Sequence, residues 1–177
     1  MPENIEIKAT AREWQRLLAA AEKLSGAAAA LIEQWDTFFT IPSGRLKLRQ
    51  ITHDRGELIF YQRPDQPGPK LSAYTVTHTD TPESLRDTLA RALGISGEVR
   101  KRRWLFLCDK FGGHSRIHLD EVKGLGHYVE LEVVLRQEQL PEEGERIAGE
   151  IRNALDIRDE DLIECAYVDL ITAHCGP

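Results

Sequence analysis

Four short stretches of this 177-residue chain carry charge at alternating positions: Glu6-Ile7-Lys8, Arg45-Leu46-Lys47-Leu48-Arg49, Lys101-Arg102-Arg103 and Glu130-Leu131-Glu132. Successive side chains of an extended strand point to opposite faces, so each stretch sets its charges on one face, Arg102 alone falling on the other. Like charges side by side repel, and a row of them calls for a partner of opposite sign. Arginine and lysine supply charge-assisted hydrogen bonds to phosphate oxygens. Glu6, Glu130 and Glu132 offer only oxygen ligands, which suit Mg²⁺ or Mn²⁺ better than zinc. Reaction at a polyphosphate needs mainly positioning, charge neutralisation and an oriented nucleophile, and these residue types supply all three.

Strand-like alternation recurs over residues 4–8, 34–40, 45–51, 57–63, 70–77, 101–108, 115–120 and 127–135. Turn signals separate most of them, among them Pro42-Ser43-Gly44, Asp54-Arg55-Gly56, Pro67-Gly68-Pro69 and Gly124-Leu125-Gly126. Closely spaced strands joined in this way predict an antiparallel sheet that can close on itself. Helical spacing predicts helices over residues 11–24, 81–93 and 143–155, with a short fourth between 159 and 170. The second has Thr81 as N-cap, Pro82 at its first position and Gly94 as its stop.

Splitting each strand by parity yields an apolar set (Ile5, Ile7, Leu46, Leu48, Leu58, Phe60, Trp104, Phe106, Ile117, Leu119, Val129, Leu131, Val133). The other set is ionic: Glu6, Lys8, Arg45, Lys47, Arg49, Glu57, Arg63, Lys70, Lys101, Arg103, Arg116, Asp120, Glu130 and Glu132. A sheet with one face on a core and the other in water gives the same alternation and is the simpler reading. Against it, the signs segregate by strand, acids in the first and last and bases in the middle, whereas a solvated face mixes them. If the sheet curls with the ionic set inward, it forms a channel with a basic wall and a carboxylate cluster.

Composition narrows the function classes. With 23 Lys and Arg against 29 Asp and Glu, the net charge of −6 argues against a protein that coats nucleic acid. No apolar run approaches the roughly 20 residues that cross a bilayer. The first 30 residues show no signal-sequence pattern, so a cytoplasmic location is expected. The length suits one domain, residues 1–177. Three widely spaced cysteines form no CxxC or CxxH pair; Cys108 reads as packing and Cys175 as a frayed end.

The ordered motifs resemble the CYTH superfamily of triphosphate tunnel enzymes, which includes class IV adenylyl cyclases, thiamine triphosphatases and inorganic triphosphatases. Asn4-Ile5-Glu6-Ile7-Lys8 is similar to that family's N-terminal ExExK signature. The likeness continues through Gln34–Phe39, Arg45–Arg49, Tyr61–Pro64, Lys101–Arg103, Arg116–Asp120, Gly124–Glu132 and Ala166–Leu170, nearly the whole chain. The resemblance implies an α+β fold, a closed tunnel of eight antiparallel strands with a polar interior and helices packed outside. It implies metal binding by Glu6, Glu130 and Glu132 with help from Asp120. It implies phosphate binding by Lys8, Arg45, Lys47, Arg49, Arg63, Lys101, Arg103 and Arg116, with Lys8 and Glu6 as catalytic candidates.

The implied activity is Mg²⁺- or Mn²⁺-dependent hydrolysis of a triphosphate such as ATP, thiamine triphosphate or tripolyphosphate. Cyclisation of ATP to cAMP and pyrophosphate, and binding of nucleotide or polyphosphate without turnover, are the two alternatives. Related cyclases pair, so a homodimer is one expected assembly. Two departures stand out: Asn4 replaces the first signature glutamate, removing one negative charge, and Arg63 stands where relatives often carry lysine. Outside these motifs, His118 and His127 lie near the proposed acidic cluster but lack a second histidine at ligand spacing and are left out of the metal site. Trp14, Trp35, Trp104 and Tyr167 read as packing residues, and Glu142-Glu143-Gly144-Glu145 as a solvated helix start.

Overall fold

The structure, a computed structural model, describes residues 1–172; the Cys175 expectation lies outside the described residues. Eight strands form the body: β1 (Glu3–Thr10), β2 (Ala30–Phe39), β3 (Arg45–Thr52), β4 (Arg55–Gln62), β5 (Lys70–Thr79), β6 (Ile95–Cys108), β7 (His114–Val122) and β8 (Gly126–Val134). They close into an antiparallel barrel in the order β1-β5-β4-β3-β2-β6-β7-β8. Closure leaves no unpaired sheet edge. The expected eight strands are all present, but β2 and β6 start earlier than the alternation predicts. β6 runs through Ser96-Gly97-Glu98, where Gly97 pairs with Phe38 and Glu98 with Thr37.

Four helices surround the barrel: α1 (Trp14–Ser25), α2 (Pro82–Leu93), α3 (Pro141–Ala154) and α4 (Tyr167–Ile171). The last lies within the span expected to be helical, which also contains a single 3₁₀ turn at Asp159–Asp161. Thr81 caps α2 by position but makes no side-chain bond to it. The main core lies between helices and barrel, not inside it. Ile5, Ile7, Ile117, Leu119, Leu131 and Val133 point outward against Leu17 and Ala21 of α1 and Ile147 and Ile151 of α3. Each such fully buried aliphatic side chain contributes about 1.5–3 kcal/mol. Gly144 is buried, because a Cβ there would run into Ile5 and Leu135. That part of the acidic helix start is therefore packed rather than solvated. Trp14 meets Trp104 edge to face at 5.2 Å, fastening α1 to β6.

One end of the barrel is closed. The chain after α3 forms a bridge from Leu162 to Ala9, Ile163 donates its N–H to the Lys8 carbonyl, and α4 follows. Val168 of α4 packs onto Gly97, where any Cβ would collide with its side chain. Gly97→Ala is expected to unseat α4 and cost about 1–3 kcal/mol, the range for overpacking; urea denaturation checks it, and unchanged stability would mean α4 is not held there.

Candidate active site

The ionic set points into the barrel. All of it but Arg45, Lys70 and Asp120 lines a cavity of about 660 Å³ to which every strand contributes, with Ala166 and Tyr167 entering from the closed end. Among the described residues the lining holds eight Lys or Arg against five Asp or Glu, so the cavity is cationic although the chain is anionic. The barrel register makes the ion pairs. Lys8 lies opposite Glu130 across β1 and β8, while Glu6 and Glu132, also opposite, are two acids that each turn to an arginine instead. His118 faces Glu130 and Arg116 faces Glu132 across β7 and β8. Asp36 faces Arg49 across β2 and β3.

Around Glu130, the Lys8 ammonium is 3.3 Å away, Arg103 donates at 3.3 Å and His118 Nδ1 lies at 3.4 Å. Burial pushes the Glu130 carboxyl up, but Lys8 and Arg103 outweigh it and hold it well below the usual carboxylate range. Glu132 accepts from Asn4 Nδ2 and, at 3.0 Å, from Arg116. Glu6 pairs with Arg63 Nε at 3.3 Å. On the opposite wall Asp36 accepts from Lys47 at 3.0 Å and from Arg49 twice at 2.8 Å. Burial raises the Asp36 carboxyl, and Arg49 and Lys47 more than reverse it.

Two expected site residues do not line the cavity. Arg45 turns toward the closed end, where it donates to Asp65 at 3.1 and 2.9 Å and to Asp169 at 2.7 Å, tying α4 to the β3 end of the barrel. Asp120 is 0% exposed and accepts both Arg103 guanidinium bonds, at 2.7 and 2.6 Å, and the Tyr167 hydroxyl at 3.0 Å. Lys101 lies 3.4 Å from the same carboxylate. In this arrangement Asp120 positions Arg103 and Lys101. The other expected residues, Glu6, Lys8, Lys47, Arg49, Arg63, Lys101, Arg103, Arg116, Glu130 and Glu132, share the cavity.

Lining residues outside the expected site include Gln34, Asp36, His118 and Tyr167. Tyr167 does pack, but its ring lies 4.1 Å from the Lys8 ammonium and 5.0 Å from that of Lys101, a cation–π floor beneath the basic cluster. Trp35, expected to pack, points outward between the guanidinium groups of Arg86 and Arg100, at 4.3 and 4.2 Å. Cys108 is a buried free thiol in the core, as expected.

A hard divalent cation can be tested against these donors. They are oxygens throughout, and Asn4 Oδ1 is a buried acceptor without a partner, the orphaned group such an ion would satisfy. Among the described residues no three His, Cys, Asp or Glu side chains converge into a ready cage, since Glu6, Glu130 and Glu132 are each drawn to cations of the wall. The donor chemistry fits Mg²⁺ or Mn²⁺, and loading would exchange those ion pairs for metal bonds.

Burial pushes the Lys101 ammonium down to about 7, with Arg103 adding to the effect. Above that pH it is largely neutral in the free protein. A bound phosphate would favour its charged form, so anion binding at pH 8 is expected to take up a proton. Titration of tripolyphosphate in buffers of different ionisation enthalpy measures this, and heat independent of the buffer would contradict it.

These features define a closed antiparallel barrel with an ion-paired, cationic interior. Residues 2–167 match the CYTH domain, and the chain belongs to the CYTH family. No match was found among curated proteins. Among solved structures the chain is similar to a protein from Pyrococcus horikoshii OT3, at 23% identity and TM-score 0.80, covering 94% of this chain and 98% of that one. A conserved hypothetical protein from Pyrococcus furiosus has 21% identity and TM-score 0.78, covering 94% and 99%. A proposed adenylate cyclase from Vibrio parahaemolyticus has 15% identity and TM-score 0.72, covering 96% and 97%. At these identities the likeness is one of fold. No helix among the described residues is long and apolar enough to cross a membrane.

Proposed function

We propose that the protein is a divalent-metal-dependent enzyme that hydrolyses a triphosphate inside the barrel. The carrying observation is that eight cationic and five acidic side chains share one cavity, with Glu6, Asp36, Glu130 and Glu132 each paired to a base. A basic surface alone would bind anions. Carboxylates set among the bases add a place for the cation that a triphosphate brings with it.

In this reading Arg49, Arg103 and Lys101 receive phosphate oxygens, with Lys47 and Arg63 flanking them. Asn4, Glu6, Glu130 and Glu132 hold the cation, which as a Lewis acid would neutralise charge developing on the phosphoryl group. Asp120 fixes the planar fork of Arg103 in two hydrogen bonds, so its free edge is presented without rotamer loss. Lys8, held between Glu130 and the Tyr167 face, is positioned to orient an attacking water. Burial depresses the His118 imidazole below its ordinary value and Arg103 adds to this, so His118 stays neutral beside Glu130.

Cyclisation of ATP would use the same wall with a different phosphorus facing the nucleophile. The Vibrio relative, described as a proposed adenylate cyclase, is the reason to assay for it. Incubation with ATP, tripolyphosphate and thiamine triphosphate under Mg²⁺ or Mn²⁺, followed by product separation, tests the reading. Release of inorganic phosphate is expected. Accumulating cAMP and pyrophosphate would replace hydrolysis by cyclisation, and tight binding with no product would leave a binding protein.

A further inference from the structure

The helices leave part of the barrel's outer surface open. α2 lies against β2, β3 and β4, and α1 against β6 and β7. Over β2 and β6 a cleft of about 920 Å³ opens, bordered by the β3–β4 turn and the β7–β8 turn. Its outward side chains form two rows across the strands. In one, Arg102 stands in register between Glu33 and Glu121 and pairs with Glu121 at 3.4 Å. In the other, Gln50, Trp35 and Arg100 are neighbours in register, and Lys123, whose N–H donates to the Arg100 carbonyl, extends the row. Glu33 and Glu121 are the only acids lining the cleft among the described residues, so the second row holds two cations and no carboxylate. Arg100 and Lys123 are exposed, and among the described residues neither has an acidic partner. Arg100 lies 4.2 Å over one face of Trp35 and Arg86 4.3 Å over the other. Two like charges are thus held on one indole, an arrangement that an anion stabilises.

We propose that this cleft is a second binding site, outside the barrel, for a nucleotide. The planar base stacks on the exposed Arg100 guanidinium and continues the Trp35 stack, while the phosphate meets the Lys123 ammonium. Guanidinium planes stack on bases as aromatic rings do, and the indole beneath already holds that of Arg100 in place. Gly124 follows Lys123 with φ +84° and open space where a side chain would stand, so the turn backbone can come close to a phosphate. Charge selects an anion for this row, and the exposed guanidinium selects a flat one. The volume falls among pockets that enclose whole small molecules. Arg100 and Arg102 have the parity opposite to Lys101 and Arg103, so the charged rows of the cleft do not reach the chamber; Gln34, Ile51 and Lys101 belong to the wall the two cavities share. The proposal is therefore independent of the triphosphate reading.

Calorimetric titration with AMP, adenosine and inorganic phosphate, without divalent cation, tests it. AMP is expected to bind saturably and about tenfold more tightly than either part, because each part fills only one half of the site. Arg100→Ser and Lys123→Ser change exposed side chains, and circular dichroism confirms their fold. Each is expected to weaken AMP binding about tenfold. The first should also erase the advantage of AMP over inorganic phosphate, and the second its advantage over adenosine. AMP affinity that survives both variants would place the nucleotide elsewhere, the barrel included, and would overturn the proposal. So would the absence of saturable AMP binding, or inorganic phosphate binding as tightly as AMP.

Discussion

Glu130→Gln is expected to lower triphosphate turnover by about 100-fold or more and to raise the metal concentration needed for half-maximal activity. Glu130 sits where three cationic or hydrogen-bonding groups meet: Lys8, Arg103 and His118. The amide keeps the size of the side chain and one acceptor oxygen. It loses the charge that holds Lys8 and that a metal ion requires. A change confined to fold would lower activity without moving the metal dependence, so the two readouts separate a site role from a structural one. Wild-type turnover in this variant would remove Glu130 from the site.

Asp120→Asn should have its largest effect on stability. Asp120 is the common partner of Arg103, Lys101 and Tyr167 and has no contact with solvent. Removing one member of a buried ionic cluster leaves charge uncompensated, at a cost of about 3–5 kcal/mol. Burial raises the Asp120 carboxyl, but Arg103 and Lys101 prevail and hold it below its ordinary value of 3.8. A carboxyl depressed in the folded state stabilises the protein fully above its unfolded value, and that contribution is lost as pH falls below it. The gap between wild type and variant should therefore be complete at neutral pH and shrink below about pH 4. Urea denaturation at several pH values measures both. A cost under about 1 kcal/mol at neutral pH would mean that Asp120 does not anchor Arg103.

Most of the barrel was legible because period-two alternation is strong wherever one strand face meets helices and the other meets charge. Ile5-Glu6-Ile7-Lys8 and Val129-Glu130-Leu131-Glu132 state both faces outright. The reading weakened where both faces are mixed. In β2, Trp35 and Phe39 alternate with Gln34, Asp36 and Phe38, so parity could not mark Asp36 as inward. Pairing was not legible at all. Arg45 and Asp120 have the expected parity, but their commitment to Asp169 and Arg103 depends on where α4 and β6 end up in space. The apolar lining residues of β6 were missed for a related reason. Leu105 and Leu107 share the parity of Lys101 and Arg103 and line the same cavity, so parity alone does not tell charged from apolar lining positions.

The central claim is that charge opposed across the barrel receives phosphate there. The most direct measurement is a crystal structure of the protein soaked with tripolyphosphate and Mg²⁺ or Mn²⁺. The account predicts phosphate oxygens within hydrogen-bond distance of Arg49 and Arg103, and a cation on Glu130 or Glu132. Phosphate found only on the outer surface, with the Lys8–Glu130 and Asp36–Arg49 pairs unchanged inside an empty chamber, would contradict it.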